Sequence, residues 1–201
     1  MKKVKYLMLA CLLAAATVSF AEDKIALIET VSPENATGDV AKVYEEIQAQ
    51  WKMVPNPIKL YSTNPEMLKQ RWAGYQQLGQ HKTVDPKMQT VIRMLVSAAH
   101  DCKYCVGLNE YMLINDFKMD PEKVMAMKSD PSAAPLPEKE KGLLEFVLKA
   151  VNEPKSTSEG DIETLHKLGW TDPEIFFATS YGAEMVATDI LINAFQVAVD
   201  Y

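Results

Sequence analysis

A chain of 201 residues, 48% of them hydrophobic, is long enough to bury one substantial core, and its formal net charge of −6 makes it acidic. An acidic protein does not bind nucleic acid by neutralising phosphates, and it is not attracted to anionic lipid. We therefore expect a single soluble domain with neither nucleic acid nor a membrane as its partner.

The first 21 residues have the layout of a secretory signal peptide. A basic start, Met1-Lys2-Lys3-Val4-Lys5, precedes an apolar run over residues 6–20, and small residues at positions 19 and 21 mark a cleavage site. The run is too short for a membrane span, and no later segment resembles one. Without this leader the chain has 18 basic and 27 acidic side chains, a net charge of −9. We expect an exported protein of a bacterial periplasm.

Signals for helix starts recur along the rest of the chain. Residues 22–37 are mixed in composition and predict an extended arm, after which apolar residues at helical spacing predict a helix over residues 38–52. A proline-rich stretch at residues 54–57 ends that helix. An N-capping residue followed by proline then occurs four times, which is typical of helix starts. The four pairs are Asn64-Pro65, Asp85-Pro86, Asp120-Pro121 and Asp172-Pro173.

The middle of the chain carries two consecutive helices joined by a short turn. The apolar stripe that follows Asp85 predicts a helix ending near His100, and Asp101 can cap a second helix over residues 102–117. Cys11 is removed with the leader, so the remaining cysteines of the chain both lie at the start of this second helix.

The last third of the chain is also helical in pattern. Thr171 and Glu174 have the spacing of a capping box, which opens a long final helix. Three helices are predicted after a loop at residues 128–135, over residues 137–152, 161–168 and 171–199. Since no stretch alternates with the two-residue period of a strand, we predict an all-α domain over residues 38–201.

The cysteine pair Cys102 and Cys105 is suited to redox chemistry. A disulfide between them would close a loop of four residues, for which loop entropy predicts about 2 kcal/mol of stabilisation, against about 3 kcal/mol for fifteen residues. Such a bond would stabilise a large domain poorly. The start of a helix also favours a thiolate, although the nearby charge of Asp101 opposes this.

Other uses of the pair are less well supported. A haem attachment site needs histidine directly after the second cysteine, where this chain has Val106. A structural zinc site needs four ligands, and only His100 is near in sequence, while His81 and His166 are remote. A thioredoxin-type site would lie in a βαβ unit, which the pattern lacks. We expect no metal and no cofactor, and an inert pair remains the alternative to redox activity.

The cysteines lie in the motif Ser97-Ala98-Ala99-x-x-Cys102-x-Tyr104-Cys105, which is followed by an amphipathic helix. This motif resembles the alkylhydroperoxidase AhpD-like, or carboxymuconolactone decarboxylase, superfamily. Three further motifs, Gly38-Asp39-Val40-Ala41, Val54-Pro55-Asn56 and Leu168-Gly169-Trp170-Thr171-Asp172, resemble its peroxidase-related branch. The resemblance covers residues 36–198. It implies an AhpD-like helical domain, commonly assembled as a trimer or hexamer.

The resemblance also implies an activity. Members of the family that are peroxidases reduce a hydroperoxide through a dithiol–disulfide cycle and are regenerated by a thiol reductant. Carried over to this chain, Cys105 would attack the peroxide oxygen and Cys102 would close the disulfide. His100 is a further candidate catalytic residue because it is the nearest base to the pair in sequence.

Two residues depart from the family pattern. The family has a histidine four residues after the second cysteine and a glutamate twelve residues before the first, which together relay a proton. This chain has Asn109 and Thr90 at those positions, and asparagine cannot accept a proton at neutral pH.

Other polar residues near the pair have less specific interpretations. His100 can equally be a solvated residue in the last turn of its helix. Tyr104 is expected to pack, and Glu184 and Asp189 are expected to be exposed charges on the final helix. Two other functions therefore stay open: an exchange protein that acts on the disulfides of other proteins, and a helical module without catalytic activity.

Overall fold

A computed structural model describes residues 24–78 and 81–201. Within that part the chain forms α-helices and short 3-10 turns and contains no strand, which confirms the all-α prediction. The helices are α1 Gly38–Trp51, α2 Asn56–Leu60, α3 Pro65–Leu78, α4 Pro86–Ala99, α5 Lys103–Asn115, α6 Pro121–Ser129, α7 Glu138–Asn152, α8 Glu159–Lys167 and α9 Asp172–Ala194. The predicted signal peptide, with Cys11, lies outside the described residues.

The helices begin where the capping signals predict. The Asp85 side chain accepts a hydrogen bond of 2.8 Å from the Met88 amide at the start of α4, and Thr171 and Glu174 form a capping box at the start of α9. These side chains satisfy amide groups that have no partner within their own helix. Local sequence therefore sets the start of α4 and of α9.

The final helix ends earlier than predicted, at Ala194 rather than near residue 199. Gln196 adopts a left-handed backbone with φ of 50°, which turns the chain away from the helix axis. The chain then lies beside the N-terminal arm, where the Leu27 amide donates to the Phe195 carbonyl at 2.8 Å and the Ala198 amide donates to the Ile25 carbonyl at 2.8 Å. These long-range contacts replace the last turn of the helix.

Two hydrophobic clusters form the interior. The larger one surrounds α4, whose apolar residues are buried against α5, α7 and α9. Gly182 allows α9 to approach α7 closely, because a Cβ atom there would lie only 2.7 Å from a methyl carbon of Val147. The smaller cluster joins α1 to α3 through residues such as Ile47 and Leu68. Because α4 packs against both α5 and α9, the turn between α4 and α5 lies beside α9.

Among the described residues, α9 alone is long and apolar enough to cross a membrane by length and composition. Its buried residues include Met185, Asp189 and Ile192, which pack inside the fold. A helix that is apolar over most of its surface is also typical of a protein core.

Candidate active site

The turn between α4 and α5 positions the cysteine pair. Asp101 has a left-handed backbone with φ of 53°, and the Cys102 amide donates to the Ser97 carbonyl at 3.0 Å. Cys102 itself is the N-cap of α5, since its Sγ accepts a hydrogen bond of 3.3 Å from the Cys105 amide. The prediction that Asp101 caps this helix is therefore wrong, because Asp101 lies in the turn, one residue before the cap.

Both sulfur atoms are shielded from solvent. Cys102 is 0% exposed and Cys105 is 3% exposed, and both are free thiols. An amide donor and a helix start favour negative charge on Cys102. The neighbouring Cys102 side chain, burial and the charge of Asp189 together raise the pKa of Cys105 well above its usual value. Of the two sulfur atoms, Cys102 is therefore better suited to carry the charge of a thiolate.

A carboxyl group from a distant helix lies beside the pair. Asp189 of α9 is 0% exposed, which corrects the expectation of an exposed charge. One of its oxygen atoms and the two sulfur atoms lie within 4.8 Å of one another. Ser97 Oγ donates a hydrogen bond of 2.9 Å to Asp189 Oδ1, whereas Oδ2 is buried without a hydrogen-bond partner among the described residues.

The surroundings of Asp189 make its carboxylate a stronger base than usual. Burial raises its pKa, while the two thiols, Ser97 and the charge of His100 act in the opposite direction. Helical spacing could have revealed this position, because Asp189 follows the buried residues Tyr181 and Met185 at intervals of four. The charge of an aspartate in an otherwise apolar helix obscured that signal. Glu184, by contrast, is exposed as predicted.

His100 follows α4 directly and lies close to this cluster. Its backbone carbonyl accepts a hydrogen bond of 3.2 Å from Asn193 Nδ2. Its ring atom Nε2 is buried and has no hydrogen-bond partner in the described part of the chain. Nε2 is therefore not solvated, in contrast to the interpretation of His100 as a solvated residue in the last turn of its helix. Its catalytic role stays a prediction.

The two positions of the family relay belong to a different network. Arg93 Nε donates to Asn109 Oδ1 at 2.6 Å, and Arg93 Nη2 donates to Thr90 Oγ1 at 2.8 Å. Arg93 also contacts the hydroxyl group of Tyr181, and Asn109 Nδ2 donates to the Cys105 carbonyl at 2.7 Å. Arg93 thus joins both substituted positions, a role that the sequence indicated only by placing it three residues after Thr90 on the same helix.

Residues 195–201 cover the other side of the pair. The Tyr104 hydroxyl donates to Asp200 Oδ1 at 2.6 Å, and Asp200 Oδ2 accepts from the Asn56 amide at 2.6 Å. The rings of Tyr104 and Tyr201 meet edge to face, with centroids 5.4 Å apart. Burial, together with Asp200, raises the pKa of Tyr104 above its usual value. Tyr104 therefore packs as predicted, and in addition it holds this covering segment in place.

The covering segment also explains a glycine in α5. A Cβ atom at Gly107 would collide with the Tyr201 hydroxyl group, so the absence of a side chain lets Tyr201 lie against α5. That hydroxyl group donates to the Tyr104 carbonyl at 3.2 Å. Burial raises the pKa of Tyr201, and the nearby charges of Cys105 and Cys102 act in the same direction. Tyr201 therefore lies within the electrostatic range of both sulfur atoms.

The cluster offers two kinds of chemistry. Two adjacent thiols can donate two electrons and form a disulfide. Within the described residues, Cys102, Cys105 and Asp189 also form the one group of three side chains whose ligand atoms are close enough to share a metal ion. Structural zinc is almost always bound by four ligands, and His100 is not part of this group of three. The donor set is therefore a better match for redox chemistry than for structural zinc.

No protein-family model matches the chain. A curated relative, the alkyl hydroperoxide reductase Rv2159c of Mycobacterium tuberculosis (strain ATCC 25618 / H37Rv), is 26% identical over 106 residues, which is 53% of this chain. The match spans 31% of the length of that relative.

Solved structures with the same fold cover most of the chain. A peroxidase-related protein from Ralstonia eutropha JMP134, described as an alkylhydroperoxidase AhpD core, matches with a TM-score of 0.78 and 20% identity, over 88% of this chain and 93% of that one. A peroxidase-related protein from Silicibacter sp. TM1040 matches with a TM-score of 0.73 and 22% identity, over 88% and 90%. The debrominase Bmp8 matches with a TM-score of 0.68 and 15% identity, over 88% and 91%. The resemblance to the AhpD-like superfamily is thus confirmed at the level of the fold.

Proposed function

Given that the chain has the AhpD-like fold, we propose that it is a thiol peroxidase that reduces a small hydroperoxide with the dithiol of Cys102 and Cys105. The observation that carries this proposal is the proximity of two free, buried thiols at a helix start to each other and to a buried carboxyl group. The match to an alkyl hydroperoxide reductase supports the same class of reaction.

The proposed cycle balances in atoms and electrons. The thiolate of one cysteine attacks a peroxide oxygen and becomes a sulfenic acid, and the alkoxide that leaves takes a proton to form an alcohol. The sulfur of the second cysteine then attacks the sulfenic sulfur, and a disulfide and water are formed. An external thiol reductant returns the disulfide to the dithiol. Overall the hydroperoxide gains the two electrons that the cysteines lose.

The order of the two cysteines is part of the proposal. The family resemblance implies that Cys105 attacks and that Cys102 resolves. The hydrogen bond from the Cys105 amide to Cys102 Sγ and the raised pKa of Cys105 support the reverse order, with Cys102 as the attacking thiolate. In each single serine variant, trapping of the sulfenic acid after one addition of peroxide identifies the attacking residue.

Burial of the sulfur atoms favours a small substrate. Exchange with another protein needs an exposed sulfur that a protein disulfide can reach, whereas both cysteines here are at least 97% covered. A small hydroperoxide needs much less access to the sulfur atoms than a protein disulfide does. The alternative function as an exchange protein is therefore the weaker candidate.

The proposal is tested by peroxide consumption. Protein comprising residues 22–201 is mixed with cumene hydroperoxide and excess dithiol, and loss of peroxide is measured. We expect turnover in the wild type and in the exposed control Ala99→Ser, and loss of turnover in Cys102→Ser and Cys105→Ser. Wild-type rates in both cysteine variants would contradict the proposal.

A parallel assay addresses the other activity found on this fold. The debrominase neighbour was also solved in complex with 2,3,4-tribromopyrrole, so the same protein is incubated with a brominated pyrrole and dithiol. Release of bromide without any consumption of hydroperoxide would replace the peroxidase proposal with a reductive dehalogenation.

Export and assembly are further parts of the proposal. The leader pattern supports export to a periplasm, and immunodetection in a periplasmic extract tests it. Phe176 is 74% exposed and Ile190 is 59% exposed on α9, and exposed apolar side chains of this kind support a homo-oligomer such as a trimer or hexamer. Light scattering of the wild type and of Phe176→Asp tests the assembly, and a monomeric wild type would contradict it.

A further inference from the structure

The proposed cycle lacks a group to take the proton of the second thiol. The family positions for such a group hold Asn109 and Thr90, and both are engaged by Arg93. A thiol attacks a disulfide or sulfenic sulfur only as the thiolate, and the raised pKa of Cys105 leaves it protonated at neutral pH. Its proton therefore needs an acceptor within the closed site.

Asp189 is the carboxyl group that lies beside both thiols. Its carboxyl oxygen and both sulfur atoms lie within 4.8 Å of one another, and Oδ2 is buried with no hydrogen-bond partner in the described residues. Ser97 fixes the orientation of the group through Oδ1. An unpaired, buried carboxylate oxygen is costly to keep, and the adjacent thiol proton is the partner that would offset that cost.

We propose that Asp189 accepts the proton of Cys105 when the disulfide forms and returns it to the group that leaves Cys102. This inference rests on the proposed dithiol cycle. In the forward step, the Cys105 proton passes to Asp189, the Cys105 sulfur attacks the Cys102 sulfur, and hydroxide leaves and takes the proton from Asp189 as water. On reduction, Asp189 takes the proton of the incoming thiol reductant, whose sulfur attacks the Cys102 sulfur, and Asp189 then passes that proton to the leaving Cys105 thiolate.

The electrostatic surroundings support this transfer. A general base is most effective when its pKa approaches that of the acid it deprotonates, and burial raises the pKa of Asp189. The titratable groups that face Asp189 are His100, Cys102 and Cys105. On the far side of the thiols lie Tyr104, Asp200 and Tyr201.

The test isolates ring closure from peroxide chemistry. Methyl methanethiosulfonate converts the Cys102 thiolate into a methyl disulfide, and Cys105 then displaces methanethiol. Acid quenching and mass spectrometry follow both species over time and over pH. In wild type, ring closure slows as the pH falls through the pKa of Asp189. In Asp189→Asn, we expect ring closure about 10²-fold slower at neutral pH, with a rate that rises with pH as Cys105 ionises.

Two variants make the outcome specific. Cys105→Ser should accumulate the methyl disulfide, which shows that Cys102 is the residue modified first. Ser97→Ala removes a group that lowers the pKa of Asp189, so it should move the decline of ring closure to higher pH while the carboxylate remains. This second shift keeps the proposal testable if Asp189→Asn does not fold.

The results that overturn the proposal are equally specific. If Asp189→Asn closes the disulfide at the wild-type rate and with the wild-type pH profile, Asp189 is not the acceptor. Asp189 is also excluded if the variant slows the modification of Cys102 and the later displacement of methanethiol by Cys105 to the same extent. Because no peroxide is used, a failure of peroxide turnover in the earlier assay leaves this result intact. Likewise, an unaffected Asp189→Asn leaves the peroxidase proposal intact.

Discussion

Two polar networks lie on either side of Cys105. They differ in whether their buried polar atoms have hydrogen-bond partners. On one side Arg93 donates to Asn109, Thr90 and Tyr181, and Asn109 donates back to the Cys105 carbonyl. On the other side Asp189 Oδ2 and His100 Nε2 are buried without partners in the described residues. Satisfied networks rigidify a core, and unsatisfied buried atoms call for an explanation such as catalysis. The comparison indicates that Asn109 and Thr90 contribute to structure, while unpaired buried polar atoms are found on the α9 side.

Removing Arg93 should have the largest effect, because it breaks the satisfied network. Arg93→Met leaves Asn109, Thr90 and Tyr181 without their shared donor, and we expect a loss of about 3 kcal/mol in the free energy of unfolding. Urea denaturation measures it. Arg93→Lys, which keeps the charge but not the three separate nitrogen atoms of the guanidinium group, should lose less. An unchanged midpoint in Arg93→Met would show that the network contributes nothing to stability.

A substitution of Asp189, which belongs to the network with unpaired buried atoms, should raise the free energy of unfolding at neutral pH. Because the folded protein raises the pKa of Asp189, stability associated with its protonation is present below the unfolded-state pKa of about 3.9 and is lost as the pH rises through the folded-state pKa. Asp189→Asn should therefore stabilise the protein at neutral pH, by roughly 2 kcal/mol, and this gain should shrink in acid. Urea denaturation over a pH series tests it.

The matched control for that experiment is Glu184→Gln. It removes an acidic charge from the same helix, but from an exposed position, where the ion pair with Arg71 at 3.8 Å should contribute little, so its stability should stay close to that of the wild type at every pH. If the two variants behave alike, burial of Asp189 is not the cause of the effect.

A smaller effect is expected from changes in residues 195–201, the segment that covers Cys102 and Cys105. Asp200→Ala removes the acceptor of Tyr104 and of the Asn56 amide, and we expect a loss of about 1 kcal/mol in stability and faster alkylation of the thiols by iodoacetamide. Tyr201→Phe removes one hydrogen bond of the same segment and should have the weaker effect. Equal alkylation rates in all three proteins would show that the segment does not limit access.

The smallest effect concerns the family relay itself. Introducing it as Thr90→Glu with Asn109→His should leave peroxide turnover nearly unchanged, because the new glutamate would pair with Arg93. A functional relay would instead give roughly a hundredfold gain. The peroxide assay described above distinguishes the two results, and a large gain would show that the relay is what this chain lacks.

Local signals in the sequence predicted most helix starts because caps and prolines act within a few residues. The end of α9 could not be predicted in the same way, since it depends on the left-handed turn at Gln196 and on pairing with residues near Ile25. The cysteine pair was found from its spacing. Its partner Asp189 was assigned to the wrong face, and Arg93 was not recognised, because both act through residues on other helices.

The contacts of Asp200 have a consequence for the order in which the molecule folds. Its partners Asn56 and Tyr104 are 144 and 96 residues away in sequence, so the segment that covers the thiols can dock only after distant parts of the chain have come together. Until that point both sulfur atoms are open to other thiols. A newly made chain therefore has a period in which Cys102 and Cys105 can react with other thiols and disulfides, and docking of Asp200 ends it.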